Sequence, residues 1–351
     1  VKMNCCTQCF KDSHIRNTIE KHGTKGNCDF CSSNDVAVYD ISTIPNLISD
    51  MIISLVQSYS ISDSEEATFL KESLRDDWDI FSAGAEVIQA LTIKLCSSIY
   101  NASAEIFSKK VMIPQLADED FLNEFGVVRG LSWNEFADSI KYTNRFHSGM
   151  FNADTFASFL SIVAKGYPAG TRLFRARISS NKNGFPINNM YAPPKGLRSA
   201  GRVNPEGIGI LYLSSDEKTV LNEVRANTFD YVTIGEFQAK RDMRVVNLSG
   251  IAKTSPFLYG GELEKYAVNR KVFREMALEI AKPLRRSDSS LEYLPTQYIS
   301  EFIKSQGYDG VEYASTLREG GYNLAVFDES LFECVGVKTV EVTKILYETL
   351  P

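Results

Sequence analysis

The sequence lacks any run of about 18 apolar residues, the length a helix needs to cross a bilayer, so no membrane span is expected. Its most apolar helical stretch, residues 85–96, is short and interrupted by Lys94. It also lacks basic excess: 38 Lys and Arg against 44 Asp and Glu leave a formal charge of −6. A protein that grips nucleic acid by neutralising phosphates needs a basic face, so this balance argues against nucleic acid as a partner. No internal repeat or low-complexity tract is visible, and nothing at the N-terminus reads as a signal peptide. The seven cysteines are odd in number and five of them crowd between Cys5 and Cys31. That is no secreted disulfide framework, and a reducing cytoplasm is the expected home.

What is present divides into three regions. With 351 residues and 44% hydrophobic content, two or three soluble domains are expected. Residues 1–40 are cysteine-rich. Residues 41–155 read as helical, with apolar residues at three- and four-residue spacing over 44–55 and 85–96, and again at Trp133, Phe136 and Ile140. From the turn signal at Tyr167-Pro168-Ala169-Gly170 onward, in a third region spanning 156–351, the rhythm changes to short strands. Strands are expected over 171–178, 208–213, 310–314, 324–327 and 337–345. A helix is expected after Ser214, with Glu217 completing a capping box, and another from Pro295 to its cap at Gly307. Strands and helices mix without regular βαβ alternation, so the fold class is α+β.

Cys6-x-x-Cys9 and Cys28-x-x-Cys31 are separated by 18 residues. Each pair allows a tight turn that aims two thiolates at one tetrahedral ion, and two such turns complete a closed structural Zn²⁺ site. A closed site leaves no open position for substrate. Cys5, His14 or His22 can replace one ligand, so the exact set stays open. A redox pair is the competing reading, but that motif usually occurs once, beside a βαβ pattern missing here. Arg16 and His22 have a loose spacing similar to that of HEPN-type ribonucleases. The spacing is short and common, and surface positions explain both residues.

In the third region Glu223 is the least ordinary residue. It borders the apolar face of its helix, three residues after Val220, where a carboxylate needs a cation or hydrogen bonds to offset desolvation. Arg175 or a ligand can supply that. Arg175 in a strand, Tyr212 ending a strand and Ser315 after a strand each have a plain structural reading when taken alone.

The segments Leu173-Phe174-Arg175-Ala176-Arg177, the run from Gly201-Arg202 through Tyr212-Leu213-Ser214, Leu221-Asn222-Glu223-Val224-Arg225 and Gly307 to Ser315 resemble, in order and spacing, the RES family. The resemblance covers roughly 167–335. The N-terminal half is similar, on weaker motifs, to the HEPN/RES N-terminal domain. The resemblance implies an ADP-ribosyltransferase-like pair of small sheets with a cleft for NAD. Arg175, Glu223 and Ser315 are then the name-giving residues and Tyr212 the active-site tyrosine. Arg175 and Arg202 would hold the pyrophosphate, with Tyr212 and Ser315 contacting the nicotinamide or ribose. The segment between Arg175 and Gly201 is long for the family, and Thr316 stands where many members have a second serine.

The expected activity is cleavage of the nicotinamide–ribose bond of NAD, by glycohydrolase or phosphorylase chemistry, in a bacterial toxin or defence effector. An ADP-ribosyltransferase shares the first step and differs in the acceptor. A third reading is an NAD-sensing binding module without turnover. Short members of the family are typically restrained by an antitoxin, so an antitoxin or regulatory protein is the expected partner, and oligomeric state is left open. The glycines of 201–209 are no Rossmann fingerprint, because they precede a strand instead of following one and opening a helix.

Overall fold

The computed structural model describes residues 2–42, 46–194, 196–283 and 288–345. Ile44, the first residue of the expected helix 44–55, lies outside them. The chain forms two compact units, Val1–Gly130 with Thr254–Lys271, and Leu131–Lys253 with Val272–Pro351. Among the described residues no helix is long and apolar enough to cross a membrane.

In the first unit the cysteine-rich segment folds as a three-stranded antiparallel sheet, Asn4–Cys6 and Thr24–Gly26 flanking Val36–Asp40. The helix Ser13–His22 starts where the Asp12 carboxylate accepts from the Ile15 amide, satisfying one of the first-turn donors. Its Ile15 and Ile19, one turn apart, are fully buried, whereas Arg16 and His22 are exposed. Next comes the helix Leu47–Gln57, capped by Asn46 and buried at Ile48, Ile52, Leu55 and Val56, which is the expected 3.6-residue stripe. Ala85–Leu95 is likewise helical. A further small sheet, Ser60–Ile61, Thr68–Phe69 and Lys110–Met112, interrupts what the sequence reads as an all-helical region. Strands of two or three residues are too short to carry a period.

Residues 254–271 complete this unit. Tyr266 stacks on Tyr259 at 4.4 Å between ring centroids, and Asn269 accepts from the Val127 amide while donating to the Phe125 carbonyl. Beside them, Trp78 donates to the Tyr59 hydroxyl, which donates to Asp77, so the buried polar groups pair with one another.

The second unit holds one eight-stranded sheet. Its strands are β1 (Ala164–Tyr167), β2 (Arg172–Ser179), β3 (Leu211–Ser214), β4 (Tyr231–Ala239), β5 (Met243–Asn247), β6 (Gly310–Ala314), β7 (Tyr322–Val326) and β8 (Phe332–Glu341). Their spatial order is β8-β4-β2-β3-β7-β6-β5-β1, antiparallel except for β5 against β6. The expected strand over 337–345 starts earlier, at Phe332, because the whole of β8 pairs along β4.

The sheet is nearly split. β2 and β4 run in register over eight residues, but β2 and β3 share a single pair, Phe174 with Ser214. Two smaller sheets therefore diverge from one point, in line with the α+β, split-sheet expectation. One face packs Leu173, Leu211, Leu213, Phe237, Leu324 and Val326 into a core. On the other, Val220 of the helix α1 (Glu217–Glu223) packs on Val232 and Ile234. Alternation along each strand makes this division possible, since successive side chains leave on opposite faces.

The start of α1 differs from expectation. Its cap is Asp216, which accepts from the Lys218 and Thr219 amides, and not Ser214. Ser214 remains in the strand, and its hydroxyl is taken by Asn323.

Candidate active site

The divergence of β2 from β3 opens a cleft of about 240 Å³ in the second unit. Arg175 enters from β2, Tyr212 and Ser214 from β3, Glu223 from the end of α1, Tyr313 from β6 and Asn323 from β7. A smaller cavity of about 170 Å³ shares Arg175 and Tyr212 with the first and is otherwise lined by the 193–210 segment, including Arg198 and Asn204. Three of the expected residues thus meet in one place: Arg175, Tyr212 and Glu223. Ser315 adjoins them through a hydrogen bond to Glu223. Arg202 lines neither cavity; its guanidinium donates to the Ala281 carbonyl and lies over the Tyr313 ring.

Arg175 is half-buried, and one of its nitrogens donates to the Tyr212 carbonyl at 3.3 Å. Its Nε is sealed from solvent and has no partner, and no carboxylate pairs with the guanidinium among the described residues. Burial, then the nearby charge of Arg177, holds it down to about 10, so it is still a cation at neutral pH. A buried donor left unmade is costly, about 1–3 kcal/mol, so this nitrogen counts against stability.

Tyr212 spends its hydroxyl inside the protein. It donates to Asn204 Oδ1 at 2.6 Å and accepts from the Val203 amide at 3.2 Å, which leaves its ring as the surface offered to the cleft. Asn204 is the hub of the neighbouring turn, its amide donating to the Ser199, Pro205 and Ile208 carbonyls. Gln297 ties the same turn down by donating to the Gly201 and Asn204 carbonyls. Gly201 has to be glycine here, since a Cβ would stand 2.7 Å from the Tyr212 hydroxyl and 2.5 Å from Asn204 Oδ1. Asn204 and Gln297 have no signal in the sequence beyond their polar side chains. Tyr212→Phe should therefore destabilise the second unit by about 1–3 kcal/mol in chemical denaturation, because Asn204 Oδ1 and the Val203 amide lose their partner. An unchanged midpoint would mean that the hydroxyl anchors nothing.

Glu223 is the last residue of α1, and it too has no ion-pair partner among the described residues. Its Oε1 accepts from Ser315 Oγ at 2.7 Å and from Asn323 Nδ2 at 2.8 Å. Tyr313, on the neighbouring strand, is buried, which pushes its hydroxyl up to about 12 and keeps it neutral.

In the first unit the four cysteines of the paired motif come together. Cys6 ends its strand, Cys9 closes the following turn, and Cys28 and Cys31 lie in the loop before Val36–Asp40. Sulfur separations are 3.9 Å for Cys6–Cys9, 3.4 Å for Cys6–Cys31 and 3.7 Å for Cys9–Cys28, and all four lie within 4.8 Å of one another. The Phe30 and Cys31 amides both point at Cys28 Sγ. Four thiols so placed can bind one metal ion. Cys5 is buried outside the group, and His14 and His22 are exposed on their helix.

Residues 172–346 match the family model of the RES domain. No curated protein matches the chain. Among solved structures, the M. tuberculosis MbcT–MbcA toxin–antitoxin complex is 13% identical with a TM-score of 0.30, covering 52% of this chain and 92% of that one. An anti-CRISPR protein is 13% identical with a TM-score of 0.21, covering 50% of this chain and all of that one. Likenesses this distant say nothing of activity. The family match spans Arg175, Tyr212, Glu223 and Ser315 together with strands β2 to β8, and the chain is a RES domain protein.

Proposed function

We propose that the cleft cleaves the nicotinamide–ribose bond of NAD, as a glycohydrolase or phosphorylase, and that the chain serves as a toxin or defence effector. The observation that carries this reading is a cation, Arg175, and a carboxylate, Glu223, that line one cleft, neither of them ion-paired among the described residues. A ligand with both an anionic and a cationic part satisfies the pair, and NAD has a pyrophosphate and a positively charged nicotinamide ribosyl group.

The chemistry follows from those positions. The C–N bond breaks with its electron pair going to the ring nitrogen, so nicotinamide leaves neutral and the ribose carbon becomes oxocarbenium-like. Glu223 stabilises that developing charge and holds ribose hydroxyls, as carboxylates do in glycoside cleavage. Arg175 takes pyrophosphate oxygens where its side chain lines the cleft. The Tyr212 ring stacks on the nicotinamide or ribose. Water, losing a proton, or phosphate then captures the ribose carbon.

The four cysteines fit a structural Zn²⁺. With Zn–S near 2.3 Å, a tetrahedron sets sulfurs about 3.8 Å apart, against 3.4–3.9 Å for three pairs of this cluster and at most 4.8 Å for the others. Cys6, Cys9, Cys28 and Cys31 would fill the coordination sphere, so the metal would bind segments together and take no part in cleavage. A cytoplasmic setting and an antitoxin or regulatory protein partner belong to the same reading.

Calorimetric titration tests the substrate. NAD should bind the wild-type chain, and Arg175→Met should weaken it at least about tenfold, the loss of one charge-assisted contact. Absence of NAD binding to the wild-type chain removes the reading.

A further inference from the structure

Both hydrogen bonds on Glu223 fall on the same oxygen. Ser315 Oγ and Asn323 Nδ2 donate to Oε1, and among the described residues nothing donates to Oε2. The torsion that turns a glutamate carboxylate is soft and broad, so one hydrogen bond restrains it weakly. Two donors from different elements, the loop after β6 and the strand β7, restrain it well.

Asn323 is itself oriented. An ionised carboxylate only accepts, so the amide nitrogen of Asn323 must face Glu223 and its oxygen must face away. That oxygen accepts from Ser214 Oγ at 2.7 Å. Ser214 and Asn323 are both buried, at 3% and 4% exposure, and stand opposite each other in the β3–β7 register. Ser214 is also the residue through which β3 pairs with β2, at the point where the sheet splits. The chain Ser214–Asn323–Glu223 therefore runs from the rigid junction of the two half-sheets to the carboxylate at the cleft.

We infer that Asn323, held by Ser214, is a positioning residue that acts with Ser315 to clamp Oε1 of Glu223 and present Oε2 to the ribose. The inference rests on the NAD-cleavage reading. Stabilising a developing charge requires that the stabilising group be in place before the charge appears, so orienting Oε2 in advance serves the chemical step more than ground-state binding. Ser315, whose hydroxyl proton is committed to Glu223, is assigned to the same task and not to direct contact with nicotinamide.

The test compares Asn323→Ala, Ser315→Ala and the double variant by nicotinamide release. Each single substitution should lower kcat about tenfold with KM for NAD within about threefold of wild type. The double should lower kcat about a thousandfold, more than the product of the singles, because both donors serve one oxygen. Unchanged kcat with raised KM, or strictly multiplicative losses, would overturn the clamp. If Asn323→Ala does not fold, Ser214→Ala keeps the amide but releases its far end, and a severalfold kcat loss is expected; wild-type kcat overturns the inference. Crystal structures of the wild type and Asn323→Ala supply a readout free of turnover. The Glu223 carboxylate should turn or split in the variant, and an unmoved, fully ordered carboxylate overturns the proposal. A wild type that leaves NAD intact defeats only the NAD-cleavage reading, and the pair of crystal structures still decides the clamp.

Discussion

Replacing Glu223 with glutamine should reduce nicotinamide release from NAD by about a thousandfold or more while leaving the thermal midpoint nearly unchanged. The two expectations have separate grounds. Glutamine keeps the shape of the side chain, and its carbonyl oxygen can still accept from Ser315 Oγ and Asn323 Nδ2, so the packing at the end of α1 survives. What disappears is the negative charge. Losing even one neutral donor aimed at a transition-state charge costs about a hundred- to a thousandfold in rate, and a full charge facing an oxocarbenium-like carbon should cost at least as much. The rate is measured by separating nicotinamide from NAD, and the fold by the thermal midpoint of the same preparation. A glutamine variant that still releases nicotinamide at a tenth of the wild-type rate would take Glu223 out of the centre of the mechanism.

The second large effect concerns the cysteine cluster. If the four cysteines hold zinc as proposed, treatment with a chelator, or changing Cys9 to serine, should unfold the sheet formed by Asn4–Cys6, Thr24–Gly26 and Val36–Asp40. These strands are three to five residues long and cannot hold together on their own. Structural zinc sites contribute about 10–16 kcal/mol of apparent binding free energy in small peptides, comparable with the whole stability of a domain at about 5–15 kcal/mol. Hydrogen exchange followed by mass spectrometry reads the result peptide by peptide. Protection should vanish over residues 4–40 and persist in the strands of the RES domain. Full protection over 4–40 in chelator, with metal analysis showing none bound, would mean that the four thiols stand together without an ion.

Much of this site is legible in the sequence, and the exceptions have a common cause. Arg175, Tyr212 and Glu223 are readable because each sits in a segment that resembles the RES family, and the strand and helix periods around them place them on their elements. The cysteine pairs are readable because two residues between thiols is itself a geometric constraint. Asn323 is not readable. It is a polar residue near the start of a largely apolar strand, and its meaning depends on Ser214, more than a hundred positions away. The cap of α1 is displaced because Ser214 stays in β3, and the Asp216 carboxylate accepts from the first-turn amides instead. Tyr212 shows the converse: the residue is recognisable, yet its hydroxyl turns inward to Asn204, a partner that local patterns do not reveal. Arg202 looks suited to phosphate by type and neighbourhood, but the Ala281 carbonyl and the Tyr313 ring engage its guanidinium instead. The grouping of residues 254–271 with the N-terminal unit likewise follows from contacts such as Asn269 with Val127 and not from any local pattern.

The account turns on one event, the departure of nicotinamide from NAD, and the most direct measurement is to incubate the purified chain with NAD alone and follow both products. The account predicts nicotinamide in equal amount with ADP-ribose or its 1-phosphate, the second depending on added phosphate, and identifies the acceptor from that product. NAD that remains intact over hours, with phosphate present and the fold verified, would contradict it.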